Sequence, residues 1–215
     1  MRKQIIAVAA LKGGVGKTTL AVNLACALAA PRRPAVVIDA DSQGSATAWS
    51  QRGELPARVV PLPLESPREA AGWSRRVLDV DAAFVVIDCP PHLGPVLAAA
   101  IGSADAVLIP VGPSVLDLEA TGPTLELVKQ AQAARRGDGP RAWIVPCRVD
   151  ERTLSGRELA AAVAGLGCPV APAVHLRVAL ADAVAAGHWA GSYEPGGAAH
   201  QEIARIAQLV RRSPT

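Results

Sequence analysis

Residues 11–19 read Leu11-Lys12-Gly13-Gly14-Val15-Gly16-Lys17-Thr18-Thr19. The apolar run Ile5 to Ala10 precedes them, and a helical pattern rich in Leu and Ala follows. A buried strand that turns through glycines into a helix is the setting a phosphate-binding loop requires. Small glycines let backbone N–H groups turn inward around phosphate oxygens, and the helix N-terminus adds its partial positive charge. Gly13, Gly14, Val15 and Gly16 are the candidate cradle. In such a loop Lys17 reaches the β- and γ-phosphates, Thr18 offers its hydroxyl to Mg2+, and Thr19 bonds the α-phosphate. The strict spacing G-x-x-x-x-G-K-[ST] is not met, because its first glycine falls on Leu11. What stands here is K-G-G-x-G-K-T, with a second lysine at Lys12.

Outward from this loop, short apolar runs alternate with longer helical patterns. The spacing predicts strands over 4–9, 35–39, 58–62, 83–88, 106–110 and 142–146. It predicts helices over 17–29, 45–52, 67–78, 93–101, 116–135, 153–164 and 197–212. That alternation implies an α/β fold whose mostly parallel, twisted sheet carries helices on both faces, and together with the loop at 11–19 the expectation is a single-domain P-loop NTPase. The first strand begins almost at the first residue, so residues 1–215 are read as one domain with no separate N-terminal domain. Apolar residues make up 50% of the 215, charged residues 19% and aromatics 3%. Such a chain buries a sizeable core made of Ala, Val, Leu and Ile, which excludes disorder as its overall state.

Two further strands end in carboxylates. The second reads Val36-Val37-Ile38-Asp39-Ala40-Asp41-Ser42-Gln43-Gly44. Parallel sheets bind ligands at the C-terminal ends of their strands, and alternation puts Asp39 and Asp41 on one side. Aspartate is also favoured at helix starts, the structural alternative for this pair. The fourth reads Phe84-Val85-Val86-Ile87-Asp88-Cys89-Pro90-Pro91. Four apolar residues and an aspartate form a Walker B pattern, whose carboxylate holds a Mg2+-bound water. The prolines fix a turn suited to sensing a γ-phosphate and moving after its loss.

Charge is unevenly spread. It is +6 over residues 1–33, −7 over 34–128 and +4 over 129–215, making the net +3. An acidic middle between basic ends suits a protein that holds phosphate and Mg2+ and touches a polyanion. Cys26, Cys89, Cys147 and Cys168 form no C-x-x-C pair, which indicates free thiols in a reducing compartment. No stretch provides the roughly 20 uninterrupted apolar residues of a membrane span. Met1-Arg2-Lys3 and the following apolar run imitate a signal peptide faintly, but Lys12 and a glycine turn stand where cleavage should occur. A strand, and a cytoplasmic protein, is the expectation.

K-G-G-x-G-K-T resembles the deviant Walker A motif of the ParA/MinD family of P-loop ATPases, and the small ParA-type partition ATPases most. Asp39-Ala40-Asp41-Ser42-Gln43-Gly44 resembles that family's D-x-D-P-Q-G switch, with Ser42 in place of proline. The resemblance implies ATP and Mg2+ as ligands and slow, partner-stimulated hydrolysis to ADP and phosphate. It implies that Lys12 reaches across a nucleotide-sandwich homodimer to the other copy's phosphates. By the same resemblance Asp41 polarises the attacking water, and Asp39 joins Thr18 and Asp88 around the metal. Asp117 is read as a structural or dimer-interface residue. Relatives often carry Asn-Arg where Cys147-Arg148 stands, so the adenine contacts are left open. Members of the partition branch bind DNA non-specifically as ATP-bound dimers and drive plasmid partition or chromosome segregation with a ParB-like partner. Arg152, Arg157, Arg177, Arg205, Arg211 and Arg212 are the DNA-binding candidates, with a cytoplasmic, nucleoid-associated location and no membrane contact. The alternatives are a MinD-like membrane-cycling regulator of the division site, an ATP-dependent metabolic enzyme of the same fold, and a nucleotide-gated binding module.

Overall fold

The computed structural model describes residues 3–64, 66–135 and 139–213. The elements run β1 (Gln4–Val8), α1 (Lys17–Leu28), β2 (Ala35–Asp39), α2 (Ser45–Ser50) and β3 (Arg58–Pro61). A 3-10 turn, Pro67–Glu69, leads into α3 (Ala70–Asp79), followed by β4 (Phe84–Asp88), α4 (Pro95–Ser103), β5 (Ala106–Val111), α5 (Val115–Glu119) and α6 (Gly122–Ala134). The chain continues through β6 (Arg141–Val149), α7 (Leu154–Ala164), β7 (Val174–His175), α8 (Val178–Ala185), α9 (Ala190–Tyr193) and α10 (Ala198–Arg212). All seven strands join one sheet in the order β3-β2-β4-β1-β5-β6-β7, and every strand pairing is parallel.

Every residue of β1, β2, β4 and β5 is buried. That is the signature of strands covered on both faces, where apolar runs replace alternation. Ile6 and Val8 belong to one core layer, with α1, α2 and α10; Ile5 and Ala7 belong to the other, with α3, α4, α6 and α7. The small aliphatic residues expected from composition fill both layers. Each layer also takes one fully buried tryptophan whose indole N–H is satisfied: Trp49 donates to His188 O at 3.0 Å and Trp73 to Leu62 O at 2.7 Å.

The structure departs from the sequence-based elements in two places. The helix expected over 116–135 is two helices, α5 and α6, broken at Ala120–Thr121. Pro123 in the first turn of α6 has no N–H to continue an earlier helix, so the chain restarts there. The stretch from Leu166 to Tyr193, for which no element was expected, supplies β7, α8 and α9. These elements are two, eight and four residues long, too short for periodicity to emerge from a single sequence.

The seventh strand is fastened by a buried carboxylate. Glu202 of α10 accepts from His175 N at 3.0 Å and Arg177 Nη2 at 2.8 Å, and its Oε1 lies 2.8 Å from His175 Nδ1. Replacing Glu202 with Ala strands these donors around an apolar gap. The expected loss is about 2 kcal/mol, below the usual figure for a broken buried pair because His175 and Arg177 are partly exposed. A urea midpoint shift in the Glu202→Ala variant measures it.

Candidate nucleotide site

The strand order reverses around β1, which has β4 on one side and β5 on the other. The crevice beyond the C-terminal ends of the strands at such a point is where open parallel sheets bind ligands. The phosphate loop opens there, at the end of β1. Gly14 and Gly16 take left-handed φ values of 75° and 100°, which lets the loop fold back over the start of α1. Gly16 is the N-cap of α1 and brings no capping side chain. The first-turn N–H groups of α1 are therefore free of a side-chain acceptor, as anion binding requires.

Lys17, the first residue of α1, is 7% exposed and donates to Lys12 O at 2.7 Å. Burial lowers its pKa, while the Asp88, Cys89 and Asp41 side chains act to raise it. Lys12 points elsewhere. Its ammonium is 3.8 Å from Asp117 Oδ1, and its side chain is 41% exposed. The two lysines of the motif thus serve different surfaces, Lys17 the inside of the loop and Lys12 the outside.

Asp39 and Asp88 end β2 and β4 and are paired in register, so their carboxylates arrive side by side. Both are 1% exposed. Burial pushes the Asp88 carboxyl up to about 7, with Asp39 and Asp41 adding to the rise and the Thr18 hydroxyl and Lys17 opposing it. Neither Asp88 oxygen has a hydrogen-bond partner of normal geometry, and Asp39 Oδ1 has none either. Buried polar atoms left this way mark a place for something else to bind. Asp39 Oδ2 is spoken for: Thr47 donates to it through N at 2.8 Å and Oγ1 at 2.7 Å. Asp39 thus holds the start of α2 with one oxygen, the structural alternative read from the sequence, and leaves the other without a partner among the described residues. Asp41 is half-buried in the following turn and accepts from Gln43 N at 3.0 Å.

These residues fit ATP with Mg2+. Gly13 to Thr19 would hold the phosphates, and Thr18, Asp39 and Asp88 would hold the ion. An ion of this kind takes much of its shell from phosphate oxygens and water. Such an ion would supply neutralisation of charge on the phosphate oxygens. Lys17 would counter charge from inside the loop, and Asp41, in the turn after β2, would be the residue to orient a water.

Beyond Thr19 the crevice continues into a cavity of about 260 Å³, lined mostly by Leu20, Cys147, Val174, Leu176, Leu180 and Val184. It has room for a nucleobase. Cys147 is buried there, its thiol pushed up to about 12 by burial, so it stays a neutral apolar wall. Arg148 and Arg177 stand at its edge. The sequence gives no sign of α8, which walls this cavity, and assigns no role to Thr47 or Arg148. Thr47 had one signal, a hydroxyl in the first turn of a helix that follows two aspartates.

The six candidate arginines do not share one face. Arg152 forks onto Asp150 and Arg157 donates to the carbonyls of Glu151 and Arg152, both beyond the C-terminal end of β6. Arg177 is bound to Glu202. Arg205 donates to Gln201 O within α10, and Arg211 to Ala27 O and Leu28 O at the far end of α1. Arg212 is exposed in the last turn of α10.

The sequence profile of the CobQ/CobB/MinD/ParA nucleotide-binding domain matches residues 6–189. The chain belongs to this family. Among its relatives is a maintenance of carboxysome distribution protein A from Gloeobacter kilaueensis, 40% identical over 158 residues. That match covers 70% of this chain and 66% of the relative, just under two thirds of its length. The protein of the same name from Halothiobacillus neapolitanus is 33% identical over 166 residues, covering 77% of this chain and 76% of the relative. The fold matches the septum site-determining protein MinD of Pyrococcus horikoshii, solved with Mg-ADP, with a TM-score of 0.82 at 19% identity over 98% of this chain and 97% of that one. The chain thus carries this family's nucleotide-binding domain, and its seven-stranded parallel sheet has the fold of MinD.

Proposed function

We propose that the chain is an ATP-driven positioning switch. It binds ATP with Mg2+, pairs with a second copy over two nucleotides, and holds DNA without reading its sequence. A ParB-like or cargo-bound partner then stimulates hydrolysis and releases it. The single observation that carries this reading is the division of labour between the lysines. Lys17 lies inside the loop, while Lys12 turns outward to Asp117 of α5, the helix on which Val115 and Leu116 are exposed. A cation offered outward at a phosphate site is useful to a neighbour's phosphates, as an arginine finger is. The relatives named for carboxysome distribution favour a large particle as cargo, and the ParA members of the family favour a plasmid or chromosome. Association with the nucleoid follows from the DNA-bound state.

The membrane-cycling alternative needs an apolar helix face free for lipid. In α10 that face, Ile203, Ile206, Ala207 and Val210, is buried against the sheet layer that includes α1. Among the described residues no helix is long and apolar enough to cross a membrane. Retention on immobilised random-sequence duplex tests the choice. Retention is expected with ATP and Mg2+ and not with ADP, and it falls by roughly tenfold or more between about 50 and 200 mM salt, because phosphate contacts release counterions. The Arg152→Ala, Arg157→Ala pair weakens it. Nucleotide-independent or salt-insensitive retention contradicts the reading, and ATP-dependent binding to anionic vesicles in place of DNA selects the membrane alternative.

A further inference from the structure

Arg148 is the one non-glycine with a positive φ among the described residues, at 56°. A side chain with a Cβ is disfavoured in that conformation, so an outlier of this kind points to a local requirement. The bend is a bulge: Cys147 and Val149, two residues apart, fall in opposite core layers, and the β6–β7 register shifts between them. Bulges beside functional sites re-aim a side chain. Here the re-aimed guanidinium donates from Nη1 to Gly14 O at 2.9 Å, across 134 residues of chain. Gly14 is itself left-handed, at φ 75°, with open space where a Cβ would stand. The Gly14 carbonyl is thus held by a side chain from a distant stretch of the sequence.

We propose that Arg148 is a positioning residue for the phosphate loop. In a planar trans peptide the C=O and the next N–H point in opposite directions. Holding Gly14 C=O toward Arg148 therefore turns the Val15 N–H away from it, toward the bound phosphates. Lys17 holds Lys12 O in the same manner, but it must let go to reach a phosphate, whereas Arg148 keeps its bond throughout. The loop is thereby preorganised before ligand arrives, and affinity rises because less ordering remains to be done. This inference rests on residues 11–19 being a phosphate cradle and is independent of the dimer, DNA and cargo.

The test is displacement of a fluorescent ADP analogue from the full chain by ADP and by inorganic pyrophosphate. Arg148→Met is expected to weaken both by the same factor, roughly three- to tenfold, the worth of one exposed hydrogen bond to the loop. Arg148→Gly, which takes the left-handed backbone without strain, shows the same loss, so a folding defect is not its source. Arg148→Lys recovers most of the affinity, since one donor on a long stem is restored. Unchanged affinity in Arg148→Met and Arg148→Gly overturns the proposal. So does a loss confined to ADP, which would place Arg148 against the nucleoside, or a loss that Lys does not relieve. Lys17→Ala run alongside separates the levels: if it still binds pyrophosphate, the cradle reading falls and this inference with it.

Discussion

Lys17→Ala is expected to lose ATP by on the order of a hundredfold or more, read as Kd by titration with a fluorescent analogue. The ammonium lies inside the loop, in a residue 7% exposed, and its hydrogen bond among the described residues is to the Lys12 carbonyl, which an arriving phosphate would replace. Hydrogen bonds between charged groups contribute about 1.5–3 kcal/mol each, and a lysine that meets two phosphates makes more than one. Asp41 and Asp88 make the loss steeper, because Lys17 is the side-chain cation that offsets them inside the loop. The fold should survive. Lys17 opens α1, where Ala is a good helix former, and burial already disfavours its charge. A Tm for the nucleotide-free variant within a few degrees of the parent, together with lost binding, is the expected pair of results. A Kd within about threefold of the parent would remove Lys17 from the site.

Lys12→Ala is expected to bind ATP nearly as well as the parent while turnover falls by on the order of a hundredfold or more. Cations supplied from a second chain to a transferring phosphoryl group contribute about 10³–10⁵ in rate. In the single subunit Lys12 is anchored only by a loose pair with Asp117, 3.8 Å away and half-exposed. Exposed pairs of this kind contribute about 0.2–1 kcal/mol, little enough for a neighbouring triphosphate to take the lysine over. Mixing supplies the decisive measurement. A Lys12→Ala subunit retains Asp41, and an Asp41→Ala subunit retains Lys12. If the lysine acts across the dimer, a mixed pair holds one complete site, and the two inactive proteins together regain up to half of normal turnover. No recovery on mixing, or normal turnover in Lys12→Ala, defeats the trans assignment.

Much of the site was legible in sequence because its parts are local. The glycines, Lys17 and Thr18 lie within one strand–turn–helix, and their chemistry depends on spacing of a few residues. Asp39 and Asp88 could be placed because each ends an apolar run, and the ends of parallel strands in one sheet lie together. The register pairing of Asp39 with Asp88 agrees with that expectation. What sequence missed were contacts without local spacing. Thr47 on Asp39 is a span of eight residues, Arg177 on Glu202 a span of 25, and Arg148 on Gly14 a span of 134.

Sequence alone determined the layered α/β class, the loop and the strand-end carboxylates. Apolar periodicity and backbone turn chemistry act over a few neighbours and leave their mark in the order of residues. The tertiary structure alone decided which cations are free and which are committed. Arg177 and Arg211 are exposed-looking residues in the sequence, yet one is bound to the buried Glu202 and the other to the end of α1. It also decided the wall of the base-sized cavity, drawn from α1, β6, β7 and α8. A side chain's partner is set by where distant segments pack. That packing follows from burying both faces of the sheet at once, a condition that no single stretch of the chain records.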